Sequence, residues 1–188
     1  AVSGGVEAAI ITAEPDPDST EGFVGDDFIV DVVIDPDNTL IGVFDIGVEF
    51  DTALLSLSFV EFDIYLDAPD SDQDVTEIAP GVVSVYEASL LFFPIDLDAQ
   101  ANQDGDARFP AFSLTFNALS AGFAEIGLDL ISLGDDLGLQ VPAETLGRSI
   151  TINARPSTAV PEPGTLALLG ASLLLLSLTR IRMPMRSH

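Results

Sequence analysis

The chain has 188 residues, with 31 acidic side chains against six arginines, no lysine, no cysteine and a single histidine, for a formal net charge of −25. Such a field repels nucleic acid and anionic lipid surfaces and attracts cations. The missing cysteine excludes a disulfide framework and a thiolate nucleophile or ligand.

Roughly 155 residues precede the C-terminal segment, enough for one domain with its own core. This body reads as β-structure in chain order. Ala8–Thr12 is a short strand. Phe28, Val30, Val32 and Ile34 alternate with Ile29, Asp31 and Val33, and Phe44, Ile46, Val48 and Phe50 alternate with Asp45, Gly47 and Glu49. Period two over such a run is the signal of a half-buried strand. Further strands are expected at Leu57–Phe62, Val82–Ala88, Leu90–Phe93, Phe112–Phe116, Ala124–Leu130 and Ser149–Asn153. Turn makers separate them: Asp35-Pro36-Asp37-Asn38, Pro69-Asp70-Ser71-Asp72, Pro80-Gly81, Asp104-Gly105-Asp106 and Gly134-Asp135-Asp136. Ala53-Leu54-Leu55 suits one helical turn. About nine strands without a sustained helical period predict an all-β, two-sheet antiparallel sandwich over residues 1–153. Twelve phenylalanines and no tryptophan supply the aromatic content. Phe44, Phe50, Phe112 and Phe116 are the expected core. Tyr65 and Tyr86 are expected as partly buried strand residues rather than sugar-stacking platforms.

Residues 154–159, with Pro156, read as a linker. Residues 160–188 are of another kind. Val160-Pro161-Glu162-Pro163-Gly164-Thr165 is followed by an uncharged, leucine-rich run to Thr179 and then by Arg180, Arg182 and Arg186. As a helix rising about 1.5 Å per residue the run reaches about 22 Å, short of a hydrocarbon core of about 30 Å. It suits a short transmembrane helix used as a temporary anchor. The arginines place the C-terminus in the cytoplasm and everything before Pro161 outside. Pro161 and Pro163 hold the residues around Glu162 extended, as a peptide an enzyme reads in strand form. An exported chain needs a basic, apolar leader, and none stands before Ala1, so a leader already removed is expected.

Catalytic options fail on inventory. His188 lies beyond the apolar run, and no lysine or cysteine exists to act as base or nucleophile. A Ser-His-Asp arrangement and a histidine-rich zinc site are unavailable to the body. No spacing marks a carboxylate pair for glycoside hydrolysis. No cofactor is expected; the acids read first as a solvated face suited to solubility or salty water, with calcium binding as the sharper alternative. Asp70, Asp72 and Asp74 have the one-three-five spacing of an EF-hand loop, but Val75 stands where glycine is needed and Gly81 where a bidentate glutamate belongs. Around Asp104 and Asp106, Gln100 and Ala111 occupy the first and twelfth positions, which is no EF-hand either.

Two resemblances follow. Val160 to about Arg186, with motif, apolar run and arginine cluster in that order, resembles the PEP-CTERM sorting signal. The resemblance implies a Gram-negative bacterium that makes extracellular polysaccharide, and an integral-membrane exosortase that reads Val160, Pro161, Glu162 and Pro163. It also implies Arg180, Arg182 and Arg186 as a cytoplasmic stop. In the body, Val24-Gly25-Asp26-Asp27-Phe28, the run Gly42 to Asp51, the strand Phe112-Ser113-Leu114-Thr115-Phe116 with Gly122 after it, and Ser149-Ile150-Thr151-Ile152 are similar to a cohesin module. That likeness implies a nine-stranded jelly roll, a fold shared with a class of carbohydrate-binding modules, and a dockerin-like protein partner. No dockerin-binding motif of the family is matched here. Together these readings predict an exported, non-catalytic surface or matrix protein acting in adhesion or assembly through protein or glycan contact. The alternatives are a carbohydrate-binding module on exopolysaccharide and a self-associating filament subunit.

Overall fold

The computed structural model describes residues 8–16, 20–37, 39–66, 71–89, 103 and 108–156. All but Pro156 belong to one compact unit, Ala1–Arg155. Its strands are β1 (Ala9–Pro15), β2 (Glu21–Phe23), β3 (Asp27–Asp35), β4 (Ile41–Phe50), β5 (Leu55–Phe62), β6 (Asp72–Ala79), β7 (Val82–Ala88), β8 (Phe109–Ala118), β9 (Gly122–Asp135), β10 (Ala143–Leu146) and β11 (Arg148–Asn153). They form two sheets, β10-β1-β3-β8-β5 and β2-β11-β9-β4-β7-β6. Almost every connection crosses from one sheet to the other; the β6–β7 hairpin stays within its own.

The alternation seen in the sequence becomes the two faces of each sheet. Phe28, Val30, Val32 and Ile34 of β3 point into the core, as do Phe44, Ile46 and Val48 of β4 and Phe112, Leu114 and Phe116 of β8. Rings from the two sheets meet there. Phe44 stacks on Phe112 with centroids 5.6 Å apart, and Phe50 meets Phe116 edge-on at 5.1 Å. Each buried ring contributes about 1.5–3 kcal/mol relative to exposure. Phe44, Phe112 and Phe116 are fully buried as expected, whereas Phe50, at the end of β4, is only half-buried.

Eight of the expected strands are present and Leu90–Phe93 lies outside the described residues. Three more strands carry too little apolar alternation to be read: β2 has three residues, β10 four, and β6 is polar and exposed along nearly its whole length. The two sheets are antiparallel except at β1–β10 and β2–β11, which run parallel where the first strands of the chain lie beside the last. Tyr65 sits in a 3-10 turn (Ile64–Leu66) rather than a strand, its ring stacked on Phe109 at 4.8 Å. The strand β9 continues through Gly134 and Asp135, so the turn expected there begins two residues later, at Asp136. The helical turn expected at Ala53–Leu55 is a single turn, closed by the Leu55 N–H on the Asp51 carbonyl at 2.9 Å and tied by the Ala53 N–H to Asp51 Oδ1 at 2.8 Å. At Pro80-Gly81 the proline sets φ and Gly81 follows at φ 76°, the combination a type II turn requires.

Candidate functional site

The topology leaves the outer face of the six-stranded sheet uncovered among the described residues. Register lines up its rows. Asp74 of β6 pairs with Tyr86 of β7, which pairs with Asp45 of β4, which pairs with Ser132 of β9. The next row is Thr76, Ser84, Gly47 and Asp129, and Val82, Glu49 and Gly127 form a third. Gly47 and Ser84 make the second row low, with Tyr86 in the row beside it and the half-exposed Ile131 reaching to 3.9 Å of where a Gly47 Cβ would lie. Ser84 Oγ donates to Asp45 Oδ1 at 2.5 Å and Thr76 Oγ1 to Asp74 Oδ2 at 2.6 Å, which aims both acids. A Cβ on Gly47 would meet its nearest neighbour, the Asp129 carbonyl, at 3.4 Å, so packing does not demand a glycine there. Glycine in a strand interior without such a demand leaves room for another backbone to come close.

At one end this face opens into a groove of about 700 Å³ that takes in Glu49, Asp51, Glu125, Phe123, Arg148 and Ser149. Gly81 and Gly147 are required at its edge, because a Cβ would lie 2.3 Å from the Phe50 carbonyl and 2.5 Å from the Ile126 carbonyl. Phe123 is 63% exposed. The body has three arginines. Arg108 pairs with Glu14 and Arg155 with Asp26. Arg148, in the groove, makes no ion pair among the described residues. The groove thus combines one available guanidinium, three carboxylates and an exposed ring.

Two of the five metal candidates fall within the described residues. Asp72 and Asp74 stand on the edge strand β6, opposite Ala88 and Tyr86, rather than in a loop. Asp70, Asp104 and Asp106 lie outside the described residues. Among the described residues no three of His, Cys, Asp and Glu come together in a group that could hold an ion. Val160 to Pro163 and Arg180, Arg182 and Arg186 also lie outside the described residues, and among the described ones no helix is long and apolar enough to cross a membrane.

Several residues of consequence gave no signal in the sequence. Glu87 belongs to the inward face of β7 and is fully buried, with Oε1 accepting from Ser71 and from Gln73 Nε2 at 3.1 Å. Gln103 is buried and bonds to the backbone of Ile41 and Tyr65. Arg148 and Phe123 are ordinary strand residues until β9 and β11 are set side by side with Thr151 opposite Phe123.

The PEP-CTERM protein-sorting motif matches residues 159–182. The comparison with curated proteins found no match. Among solved structures the chain is similar to a non-cellulosomal cohesin from the archaeon Archaeoglobus fulgidus, at 17% identity and TM-score 0.59, over 84% of this chain and 99% of that one. It is also similar to the cohesin module of a family 33 glycoside hydrolase from Clostridium perfringens, at 15% identity and TM-score 0.60, over 79% and 98% of the two chains. A type I cohesin–dockerin complex from Clostridium thermocellum contributes a third likeness, at 13% identity and TM-score 0.62, over 78% and 100%. At these identities the likeness establishes the fold. The chain carries a PEP-CTERM sorting motif behind a body of cohesin-like fold, which makes it an exported, envelope-associated protein.

Proposed function

We propose that this chain is a non-catalytic interaction module of the cell surface or extracellular matrix, which docks a protein partner on the outer face of β6-β7-β4-β9. The observation that carries the reading is the floor of that face: Gly47 and Ser84 keep it low, while Asp45, Asp74 and Asp129 ring it with charge. An acidic face with a low strip at Gly47 and Ser84 suits a partner element laid along it that brings basic groups to the carboxylates. The cohesin-like fold supports a dockerin-like protein as that partner, since one of the similar structures is a cohesin–dockerin complex. The absence of lysine, cysteine and body histidine supports a role without catalysis.

Binding of dockerin modules and purified envelope proteins to the full chain tests this. Gly47→Arg is expected to weaken a genuine partner by at least about tenfold, or 1.4 kcal/mol. Glu61→Arg, on the outer face of the other sheet, is expected to leave binding unchanged. Equal affinity for both variants refutes the assignment.

The groove favours a second reading, contact with a glycan of the extracellular matrix. Its exposed ring offers a stacking surface, and its guanidinium and carboxylates offer hydrogen bonds to hydroxyls. Retention on exopolysaccharide that is lost in Phe123→Ala supports it, and retention unaffected by that change removes it.

The tail is proposed to hold the chain at the membrane until an exosortase reads Val160–Pro163, with Arg180, Arg182 and Arg186 as the stop. The C-terminal mass of the native protein decides: a product ending near Pro161–Pro163, abolished by Pro161→Ala with Pro163→Ala, is expected, and an intact C-terminus in both refutes processing.

A further inference from the structure

Phe123 is not the only exposed ring on the outer face of the six-stranded sheet. Strand β11 runs between β2 and β9. Ile150 and Ile152 are buried, so Ser149, Thr151 and Asn153 point outward. Thr151 stands between Glu21 of β2 and Phe123 of β9, Asn153 lies beside Phe23, and Ser149 beside Glu125. Phe23 is 40% exposed. Each flanking strand therefore carries a ring and a carboxylate two positions apart on this face: Glu21 and Phe23 on β2, Phe123 and Glu125 on β9. That puts ring and carboxylate about 7 Å apart at Cα, and the two rings, two strands and two positions apart, about 12 Å from each other.

The short strand β2 is fixed in place. The Phe23 N–H donates to Asp26 Oδ2 at 2.9 Å, and the Asp26 N–H returns to the Phe23 carbonyl at 2.9 Å. Gly25 takes the φ of 87° that this turn needs, and Arg155 pairs with the other oxygen of Asp26. The Thr151 N–H donates to the Thr20 carbonyl at 3.1 Å at the start of β2. The two rings are thus held on a backbone whose ordering cost is met before any ligand arrives.

We propose that this platform over β2, β11 and β9 binds a polysaccharide chain bearing free amino groups, an amino-sugar polymer in its ammonium form. The proposal rests on the glycan reading of the groove, extends that site to Phe23 and names its sugar class. A pyranose with equatorial substituents presents an apolar C–H face that lies on an aromatic ring. An ammonium group on that sugar gains attraction from the ring and a charge-assisted hydrogen bond from a carboxylate beside it. Each ring here has such a carboxylate, and Thr151 and Asn153 between the rings offer a hydroxyl and an amide to sugar hydroxyls. The distance between the rings exceeds the reach of one pyranose, so the ligand is a chain. Charge selects among chains. Glu21, Glu125 and the Glu49 and Asp51 of the groove outnumber Arg148 on a molecule of net charge −25, which draws in a polycation and repels a uronic-acid polymer. A basic peptide answers the same charge, but the apolar centre of a protein interface is continuous. Here the two rings are set apart by polar side chains, which matches the alternation of C–H faces and hydroxyl edges along a polysaccharide.

Calorimetric titration of the full chain in neutral detergent at about pH 6, where glutamates are ionised, tests it with hexamers of glucosamine, N-acetylglucosamine and lysine. The glucosamine hexamer is expected to bind at least about tenfold tighter than the acetylated one at low salt, with the gap narrowing in about 1 M NaCl. Phe23→Ala and Phe123→Ala are each expected to weaken it by at least about tenfold. Phe59→Ala, an exposed ring on the other sheet, is expected to change nothing. Glu21→Gln with Glu125→Gln keeps shape and hydrogen bonding, and is expected to remove the preference for the amine while leaving the acetylated hexamer bound. Equal affinity for the two sugars overturns the sugar class and leaves the glycan reading in place, whereas no binding of either overturns both. Binding that ignores Phe23 and Phe123, or a lysine hexamer bound as tightly with the same dependence on both rings, overturns the proposal, the latter in favour of a basic peptide.

Discussion

Replacing Gln103 with methionine isolates one polar anchor whose value can be worked from its bonds. The Gln103 amide accepts the Ile41 N–H at 2.8 Å and donates to the carbonyls of Ile41 and Tyr65, both at 2.9 Å. The side chain imitates a neighbouring strand residue at the first position of β4, where β7 has already ended. Methionine keeps the length and apolar bulk but leaves the buried Ile41 backbone without this partner. At about 1–3 kcal/mol for a buried group left unsatisfied, and less for a carbonyl with a second lone pair, the loss is about 2–4 kcal/mol. For a domain of this size each kcal/mol lowers the melting temperature by about 2–4 °C, so a drop of roughly 4–16 °C is expected by circular dichroism. Gln103→Glu provides the sharper comparison. It is isosteric and keeps an acceptor for the Ile41 N–H, yet it sets a carboxylate against two carbonyl oxygens, so it is expected to melt below the methionine variant. A glutamate variant that melts above the methionine one, or a methionine variant within about 2 °C of wild type, refutes the assignment of stability to hydrogen bonding.

Gly81→Ala places a Cβ 2.3 Å from the Phe50 carbonyl at a φ of 76°. The left-handed backbone alone costs a residue with a Cβ about 1–2 kcal/mol, and relief of the clash adds to it. Urea denaturation is expected to show at least that loss, and a midpoint equal to wild type would mean that the Pro80-Gly81 turn is not built as described. Arg155→Ala is expected to leave the melting temperature nearly unchanged, because its ion pair with Asp26 is between side chains 62% and 37% exposed and such pairs are worth about 0–1 kcal/mol. Its effect is local. Arg155 Nε donates to the Val24 carbonyl at 2.8 Å, and the Val24 N–H donates to Asn153 at 3.0 Å, so faster hydrogen exchange is expected at Val24 and across the β2–β11 pairing. Unaltered protection there shows that the body ends at Asn153 without help from Arg155.

The parts of the fold legible in the sequence are those where one strand face is apolar and the other polar. β3, β4 and β8 satisfy that condition, and their buried rows follow the written alternation. The condition fails for β6, where Asp72, Asp74 and Thr76 look outward and the inward row consists of Gln73, Val75 and Glu77. A strand held by its hydrogen bonds to β7 rather than by apolar burial reads as a polar loop. β2 and β10 are too short to show a period and exist because β11 and β1 offer them edges. The proposed docking face is illegible in the sequence for a related reason. Asp45, Gly47, Ser84 and Asp129 are scattered along the chain and are unremarkable until antiparallel register sets them in rows. The sorting motif is the opposite case, since it is contiguous and its order alone carries its meaning.

The acidic surface leads to a final prediction that separates screening from specific metal binding. Thirty of the 31 acids lie before Pro161, where Glu14 pairs with Arg108 and Asp26 with Arg155. Folding gathers these charges into one volume, so it is opposed by their repulsion, and added salt relieves that opposition. The melting temperature is therefore expected to rise between 0.05 and about 1 M NaCl, most steeply at the low end where the screening length changes most. Specific calcium binding needs several oxygens wrapped about one ion at about 2.3–2.6 Å. Asp72 and Asp74 are not disposed that way: two positions apart on a strand, their Cα atoms are about 6.8 Å from each other and their side chains stand side by side. Calcium and magnesium chlorides at matched ionic strength are accordingly expected to raise the midpoint equally. A rise produced by calcium below millimolar concentration, with none from magnesium, would refute simple screening and turn attention to Asp70, Asp104 and Asp106. Their replacement by asparagine would then have to abolish the calcium-specific shift while leaving the sodium response in place.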